Sequence, residues 1–216
     1  MRLATRRRML LSIWAEDRLF EPHIEAPEDW PEQARLATAS VEPLWQGDHA
    51  TGNSGIYAAV NAIRLATVGH CQLGKRAQRD LLEKGWAWRS QRGHAKPLSG
   101  MRTGDWKRML QALCFAVARS HGQYLTIVQP WQDVRPTEVD FFTTLERLIV
   151  SNHVVATLFA GAHFSIVKGY TPSSLLLFDS GGRTSVRRKA VSLTWSDAAA
   201  RHRLVSSVTL AIRRSN

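Results

Sequence analysis

Cysteine is scarce in this sequence, since Cys71 and Cys114 are its only two cysteines in 216 residues and no CxxC motif is present. Two cysteines do not form a disulfide framework, and no cysteine–histidine spacing matches a structural zinc site. We therefore expect neither a metal nor a cofactor. A reducing compartment, the cytoplasm, is the expected location.

Long apolar runs are also missing. The apolar stretch from Met9 to Ile13 is interrupted by Trp14, Glu16 and Asp17, well short of a signal-peptide core. No segment approaches the roughly 20 apolar residues that a membrane helix needs. We therefore expect no signal peptide and no membrane partner.

Acidic residues are fewer than basic residues, 18 against 29, which gives a formal net charge of +11. A positive surface attracts nucleic acid, anionic lipid and acidic proteins alike. The basic clusters are short, such as Arg6 to Arg8 and Arg187 to Lys189, and arginine does not alternate with aromatic residues. This pattern favours a solvated surface or an acidic protein partner over dedicated nucleic-acid binding.

The order of the predicted elements indicates an α+β fold. Helical periodicity follows residue 54 and recurs over about 75–90, 103–120 and 136–151. From residue 153 onward, β-type segments alternate with turns, the last two over 184–191 and 204–213, which predicts an antiparallel sheet. We place a single domain at residues 41–216 and a peripheral, proline- and acid-rich segment at residues 1–40.

A small residue flanked by glycines opens the first predicted helix, where the sequence reads Gly52-Asn53-Ser54-Gly55. The positive end of a helix dipole and its first N–H groups stabilise an anionic nucleophile and the oxyanion that follows attack. Ser54 is therefore a candidate nucleophile, and Asn53 is expected to cap the helix. The two glycines leave room for a substrate backbone. Within the helix, Asn61 either ties it to a neighbouring loop or faces solvent.

A histidine and an aspartate lie at the ends of two consecutive predicted strands. His163, which follows Ala162, opens one strand, and Asp179 ends the next. A hairpin would bring both side chains to one sheet edge, where a carboxylate can orient an imidazole base. Taken singly, His163 is more often a strand histidine with satisfied hydrogen bonds and Asp179 a turn residue, but together with Ser54 they favour a catalytic site.

The order and spacing of these residues resemble the papain-like peptidases, especially the compact bacterial branch of bacteriocin-leader peptidases and deubiquitinase-like enzymes. The resemblance covers about residues 44–182, with the aspartate 16 residues after the histidine. It implies that Ser54 occupies the nucleophile position, His163 is the general base and Asp179 orients it. Gln46 is the candidate oxyanion donor, although it lies eight residues before Ser54, farther than is usual in the family. Substrate contacts are expected at Gly52, Asn53, Gly55 and Ala162.

The family normally carries cysteine where this chain has Ser54. Three interpretations remain open: an engineered Cys→Ser replacement, a native serine enzyme in which His163 accepts the hydroxyl proton, and a pseudoenzyme that keeps the pocket for binding. Serine at this position is the main departure from the family pattern.

The resemblance implies a peptidase that cleaves a peptide, isopeptide or ester bond in a protein or peptide substrate through an acyl-enzyme. By analogy, the preferred substrate class is a ubiquitin-like protein whose tail ends in glycine. Two alternatives remain: acyl transfer to an amine or alcohol on the same fold, and a basic, catalytically inactive module that binds protein or nucleic acid. The identity of the product distinguishes acyl transfer from hydrolysis, and steep salt dependence would indicate nucleic-acid binding.

Overall fold

The described helices lie before most of the strands, which form an antiparallel sheet, so the predicted α+β class is confirmed. The structure is a computed structural model that describes residues 31, 34–36, 41–46, 53–91, 101, 103–132, 134–159, 163–194 and 202–215. Helices α1 to α4 span Ser54–Thr67, Lys75–Gln91, Thr103–His121 and Glu138–Val150. Strands β1 to β9 span Ala34–Arg35, Leu125–Val128, Val154–Phe159, His163–Thr171, Ser174–Phe178, Ser185–Arg187, Val191–Ser192, His202–Arg203 and Leu210–Arg214.

A seven-stranded sheet carries the catalytic candidates from the second half of the chain. Its order is β2-β9-β3-β4-β5-β6, and β1 pairs with β4 outside this path. Its strand pairings are antiparallel. Strands β7 and β8 form a separate parallel pair. The hairpin β4–β5 pairs Ile166 with Phe178, which places His163 and Asp179 at the same end of the sheet.

The described part of the N-terminal segment belongs to the sheet. Leu36 is buried, and its N–H donates a 2.7 Å hydrogen bond to the carbonyl of Lys168. A Cβ atom on Gly169 would lie 2.6 Å from the carbonyl oxygen of Ala34, so this close approach of β1 requires glycine. The rest of the predicted peripheral segment 1–40, apart from Pro31, lies outside the described residues.

Helix α1 lies in the core and is buried along most of its length. It contacts β3, β4 and β9 as well as helices α2 and α3. A helix that is apolar on nearly all sides has to be covered on nearly all sides, and its alanines allow neighbouring elements to approach closely. The N-terminal end of α1, where Ser54 lies, is therefore held by the sheet and by two helices.

Three boundary predictions are corrected, the first two by local contacts. The helix expected from residue 136 begins at Glu138, because Thr137 caps it: its Oγ1 accepts a 3.1 Å hydrogen bond from the N–H of Asp140. The strand expected over 184–191 ends at Arg187, because its partner β5 begins at Ser174, the residue paired with Arg187. The strand expected over 204–213 is confirmed only from residue 210.

Among the described residues, no helix is both long enough and apolar enough to cross a membrane.

Candidate active site

Ser54 is the first residue of α1 and is only 4% exposed. Its Oγ accepts a 3.2 Å hydrogen bond from the backbone N–H of Phe164, the second residue of β4. Because Phe164 directly follows His163, this bond holds the start of α1 against the start of β4. The structure therefore brings the predicted nucleophile next to the chain segment that carries the predicted base.

His163 and Asp179 are joined by a hydrogen bond, with 2.6 Å between Nε2 and Oδ1. The histidine side chain is 32% exposed, whereas the aspartate side chain is 2% exposed. Because a carboxylate only accepts hydrogen bonds, Nε2 carries the proton in neutral imidazole and Nδ1 presents a lone pair. Such an imidazole can accept a proton from a hydroxyl or thiol while the carboxylate stabilises the imidazolium.

The backbone after Asp179 fixes its second carboxylate oxygen. Oδ2 accepts hydrogen bonds from the N–H groups of Gly181, at 3.0 Å, and Arg183, at 3.3 Å. Burial by itself raises the pKa of the Asp179 carboxyl, but the hydrogen bonds from His163 and Arg183 help to hold this pKa below its usual value. Asp179 is therefore ionised at neutral pH, which is the form that an orienting residue needs.

A glycine turn separates the His163–Asp179 pair from an exposed tryptophan. A Cβ atom on Gly181 would lie 3.1 Å from Oδ2 of Asp179 and 3.4 Å from Cε1 of His163. Gly182 has a φ of +82°, and its Cβ would lie 2.6 Å from the ring of Trp45. Trp45 packs on this turn while remaining 60% exposed. Trp45 was not predicted as a site residue, because its only signal in the sequence is its place beside Gln46.

Gln46 lies beside the same turn. Its backbone N–H donates a 3.2 Å hydrogen bond to the carbonyl of Ser180, and its Oε1 accepts one of 3.2 Å from the Ser180 hydroxyl. This contact uses the side-chain oxygen of Gln46. The side-chain NH₂ group is therefore the one that can donate a hydrogen bond to an oxyanion. The described contacts place Gln46 next to the residue that follows Asp179.

Asn61 ties the segment before the site to α1, one of the two roles predicted for it. It is fully buried, and its Oδ1 accepts a 2.9 Å hydrogen bond from the N–H of Leu44. Its Nδ2 donates a 3.4 Å bond to the Leu44 carbonyl. The neighbouring Arg64 donates a 2.8 Å bond to the carbonyl of Glu42. These bonds anchor the chain just before Trp45 and Gln46.

Gly55 has a packing role in the core, and the predicted contact with substrate stays a prediction. A Cβ atom there would lie 2.9 Å from Cδ1 of Trp106 and 3.2 Å from Cδ2 of Phe164. The Trp106 indole N–H donates a 2.8 Å hydrogen bond to the Gly55 carbonyl, and its ring stacks on Phe164 with centroids 4.6 Å apart. The space beside Gly55 is therefore occupied by the protein itself.

Asn53 occupies the N-cap position, but the predicted capping by its side chain is wrong. The side chain makes no capping bond, and its Oδ1 instead accepts a hydrogen bond from the guanidinium of Arg89 in α2. Arg89 was not predicted as part of the site, because 36 residues separate it from Asn53. Gly52 and Ala162, the other two predicted substrate contacts, lie outside the described residues.

Within the part of the chain that the structure describes, no group of three or more His, Cys, Asp or Glu residues is arranged to hold a metal ion. A scan against protein-family models and a search of curated proteins find no match to this chain. A function for it has to be inferred from the residues at the site.

Proposed function

We propose that this chain is a papain-like peptidase that cleaves a peptide, isopeptide or ester bond through an acyl intermediate on Ser54. The strongest support is the meeting of three parts at one end of the sheet. The Ser54 hydroxyl accepts a hydrogen bond from the backbone N–H of Phe164, and the adjacent His163 is hydrogen-bonded to Asp179. A nucleophile at a helix N-terminus, an imidazole and a buried carboxylate are the groups that covalent acyl transfer requires.

The first half of the reaction forms an ester on Ser54. Oγ attacks the substrate carbonyl carbon while Nδ1 of His163 accepts the hydroxyl proton, and Asp179 stabilises the resulting imidazolium. Backbone N–H groups at the start of α1 and the amide of Gln46 are the proposed donors to the oxyanion. The oxyanion then collapses, and the amine or alcohol leaves with the proton from His163.

The second half releases the acyl group. A water molecule attacks the ester carbonyl while the same imidazole accepts its proton, and a second tetrahedral oxyanion forms at the same donors. Collapse of this oxyanion breaks the bond to Oγ, which recovers its proton from His163. The carboxylic acid product departs and Ser54 is regenerated.

The proposed substrate is a protein tail that ends in glycine, such as that of a ubiquitin-like protein, processed in the cytoplasm. This choice rests on the resemblance to deubiquitinase-like enzymes. Because that family uses cysteine, we expect the Ser54→Cys form to hydrolyse such a tail faster than the chain as it stands.

Hydrolysis of a fluorogenic substrate with a ubiquitin-like Gly-Gly tail tests the proposal. The chain is compared with its Ser54→Cys form and with Ser54→Cys/His163→Ala. Activity in the Ser54→Cys form alone, lost with His163→Ala, would support a cysteine-type peptidase, and activity in the unchanged chain would support a native serine enzyme. An absence of hydrolysis in all three forms would reject the Gly-Gly substrate class and favour acyl transfer or binding.

A further inference from the structure

A buried arginine reaches the residue that precedes the proposed nucleophile. Arg89, on the last part of α2, is 6% exposed, and its guanidinium donates a hydrogen bond to Oδ1 of Asn53. Removing a cation from water is unfavourable unless hydrogen bonds and nearby charges compensate. The bond to Asn53 is one such compensating contact, and it lies next to the candidate nucleophile.

Two more contacts hold α2 against the same end of α1. A Cβ atom on Gly85 would lie 2.6 Å from Cγ2 of Ile56, so the two helices approach closely there. The rings of Trp86 and Tyr57 meet edge to face, with centroids 6.4 Å apart. Together with the bond from Arg89, these contacts set the position of the guanidinium relative to the first turn of α1.

Asn53 connects this guanidinium to the backbone at Ser54. Its carbonyl accepts hydrogen bonds from the N–H groups of Ile56, at 2.9 Å, and Tyr57, at 3.3 Å, so its backbone forms part of the first turn of α1. Its side chain is directed to Arg89 instead of capping the helix. A movement of Arg89 would therefore be passed through Asn53 to the adjacent Ser54.

We propose that Arg89 is a positioning residue that fixes the backbone of Asn53 and Ser54 and places a permanent positive charge near the anion formed at residue 54. A guanidinium keeps its charge at working pH, and a buried charge is only weakly screened by salt. The proposal rests on the proposed function, because such positioning matters for chemistry only if residue 54 is the nucleophile.

The pH dependence of thiol alkylation by iodoacetamide tests this role without any substrate. The parent protein carries Ser54→Cys and Cys71→Ser, so that alkylation of the partly exposed Cys71 does not mask that of the introduced thiol. Arg89→Met removes the charge and the hydrogen bond while keeping a long side chain. We expect the alkylation midpoint to rise by about one pH unit, because a nearby cation typically lowers an acidic group's pKa by at least this much.

Arg188→Met is the matched control. The Arg188 guanidinium pairs with Glu146 and lies over the rings of Phe142 and Tyr170, and Tyr170 is at the opposite end of β4 from His163. This substitution therefore removes a comparable, partly buried cation far from the site. We expect it to leave the alkylation midpoint of the parent protein unchanged.

Two further variants separate positioning from a general loss of structure. Arg89→Lys keeps a positive charge, and we expect its alkylation midpoint to lie close to that of the parent protein. Asn53→Ala removes the acceptor, and because the guanidinium is then no longer held, we expect a smaller rise than with Arg89→Met. If Arg89→Met does not fold, Asn53→Ala provides the test.

An unchanged midpoint in Arg89→Met, or in Asn53→Ala where it replaces that variant, would overturn the proposal. An equal rise in Arg188→Met would overturn it as well. Because alkylation involves no acyl substrate, the result is distinguishable from a failure of the proposed peptidase activity, which shows itself as an absence of hydrolysis.

Discussion

The imidazole of His163 donates through Nε2 to Oδ1 of Asp179 at 2.6 Å, and the two side chains differ sharply in exposure. The histidine is 32% exposed and the aspartate 2%. The carboxylate is thus sheltered and held in place, while part of the ring faces solvent. This is the arrangement expected of a base that exchanges protons with a substrate while an ionised partner keeps its orientation.

Asp179→Asn should inactivate the site. Two N–H groups, of Gly181 and Arg183, surround the position of Oδ2, so the amide oxygen will take that position and the NH₂ group will face His163. Nε2 must then accept instead of donate, which moves the proton to Nδ1 and removes the base. In whichever form hydrolyses the Gly-Gly substrate, the unchanged chain or Ser54→Cys, we expect Asp179→Asn to lower kcat on the order of 10²- to 10⁴-fold.

Asp80→Asn is the control for this change, since Asp80 is an exposed residue of α2 paired with Lys84. Its steady-state kinetics should match those of the parent protein. Nearly full activity in Asp179→Asn would show instead that the amide oxygen accepts from Nε2 and that Nδ1 still acts as the base.

Stability at acid pH should also depend on Asp179. The folded protein lowers the pKa of this carboxyl below its value in the unfolded chain, about 3.9. A lowered pKa stabilises the fold fully above the unfolded value, and this stabilisation is lost as the pH falls through the folded value. The free energy of unfolding, measured by urea denaturation, should therefore exceed that of Asp179→Asn by more at pH 5 than at pH 3. An equal difference at both pH values would contradict the assigned shift.

Gly55→Ala should destabilise the protein through packing. The added methyl group would lie 2.9 Å from Trp106 and 3.2 Å from Phe164, and both rings belong to the core. We expect a loss of about 1–3 kcal/mol in the free energy of unfolding, the usual cost of overpacking. Gly104→Ala in α3 meets no atom within 4 Å and should stabilise by roughly 0.5–1 kcal/mol. Equal effects in urea denaturation would argue against the packing role of Gly55.

The two native cysteines should differ in reactivity. Cys114 is buried, and burial raises the pKa of its thiol to about 12. Cys71 is partly exposed. Because the thiolate is the reactive form, iodoacetamide at pH 8 should modify Cys71 in the folded protein and reach Cys114 only after denaturation. Mass spectrometry of the peptides identifies each site, and rapid modification of Cys114 in the native protein would contradict its burial.

Local sequence pattern predicted the parts of the site that lie at the ends of single elements. Ser54 opens a helix and His163 opens a strand, as expected, and Asp179, which was expected to end the next strand, directly follows it. Each position is marked by neighbours close in sequence, such as glycines and the change from apolar to turn residues. The hairpin then brings the last two residues together, since strands joined by a short turn share an edge.

Contacts between distant segments could not be predicted in this way. Arg89 meets Asn53 through the packing of two helices, and Trp45 meets Gly182 through a loop that Asn61 anchors to α1. Neither partner carries a signal in its own neighbourhood. The same reason explains why the packing role of Gly55 was not predicted, because its neighbour Trp106 is 51 residues away.

The most direct test of Ser54, His163 and Asp179 as a catalytic centre is acylation by p-nitrophenyl acetate, a small ester that needs no specificity pocket. The protein carries Ser54→Cys and Cys71→Ser, with and without His163→Ala, and the early release of p-nitrophenolate is followed. We expect a burst of one equivalent with acetyl attached to residue 54, slowed about 10²-fold or more by His163→Ala, because the base is then missing. An equally fast burst without His163, or acetyl at other residues only, would contradict the assignment of Ser54, His163 and Asp179 as a catalytic centre.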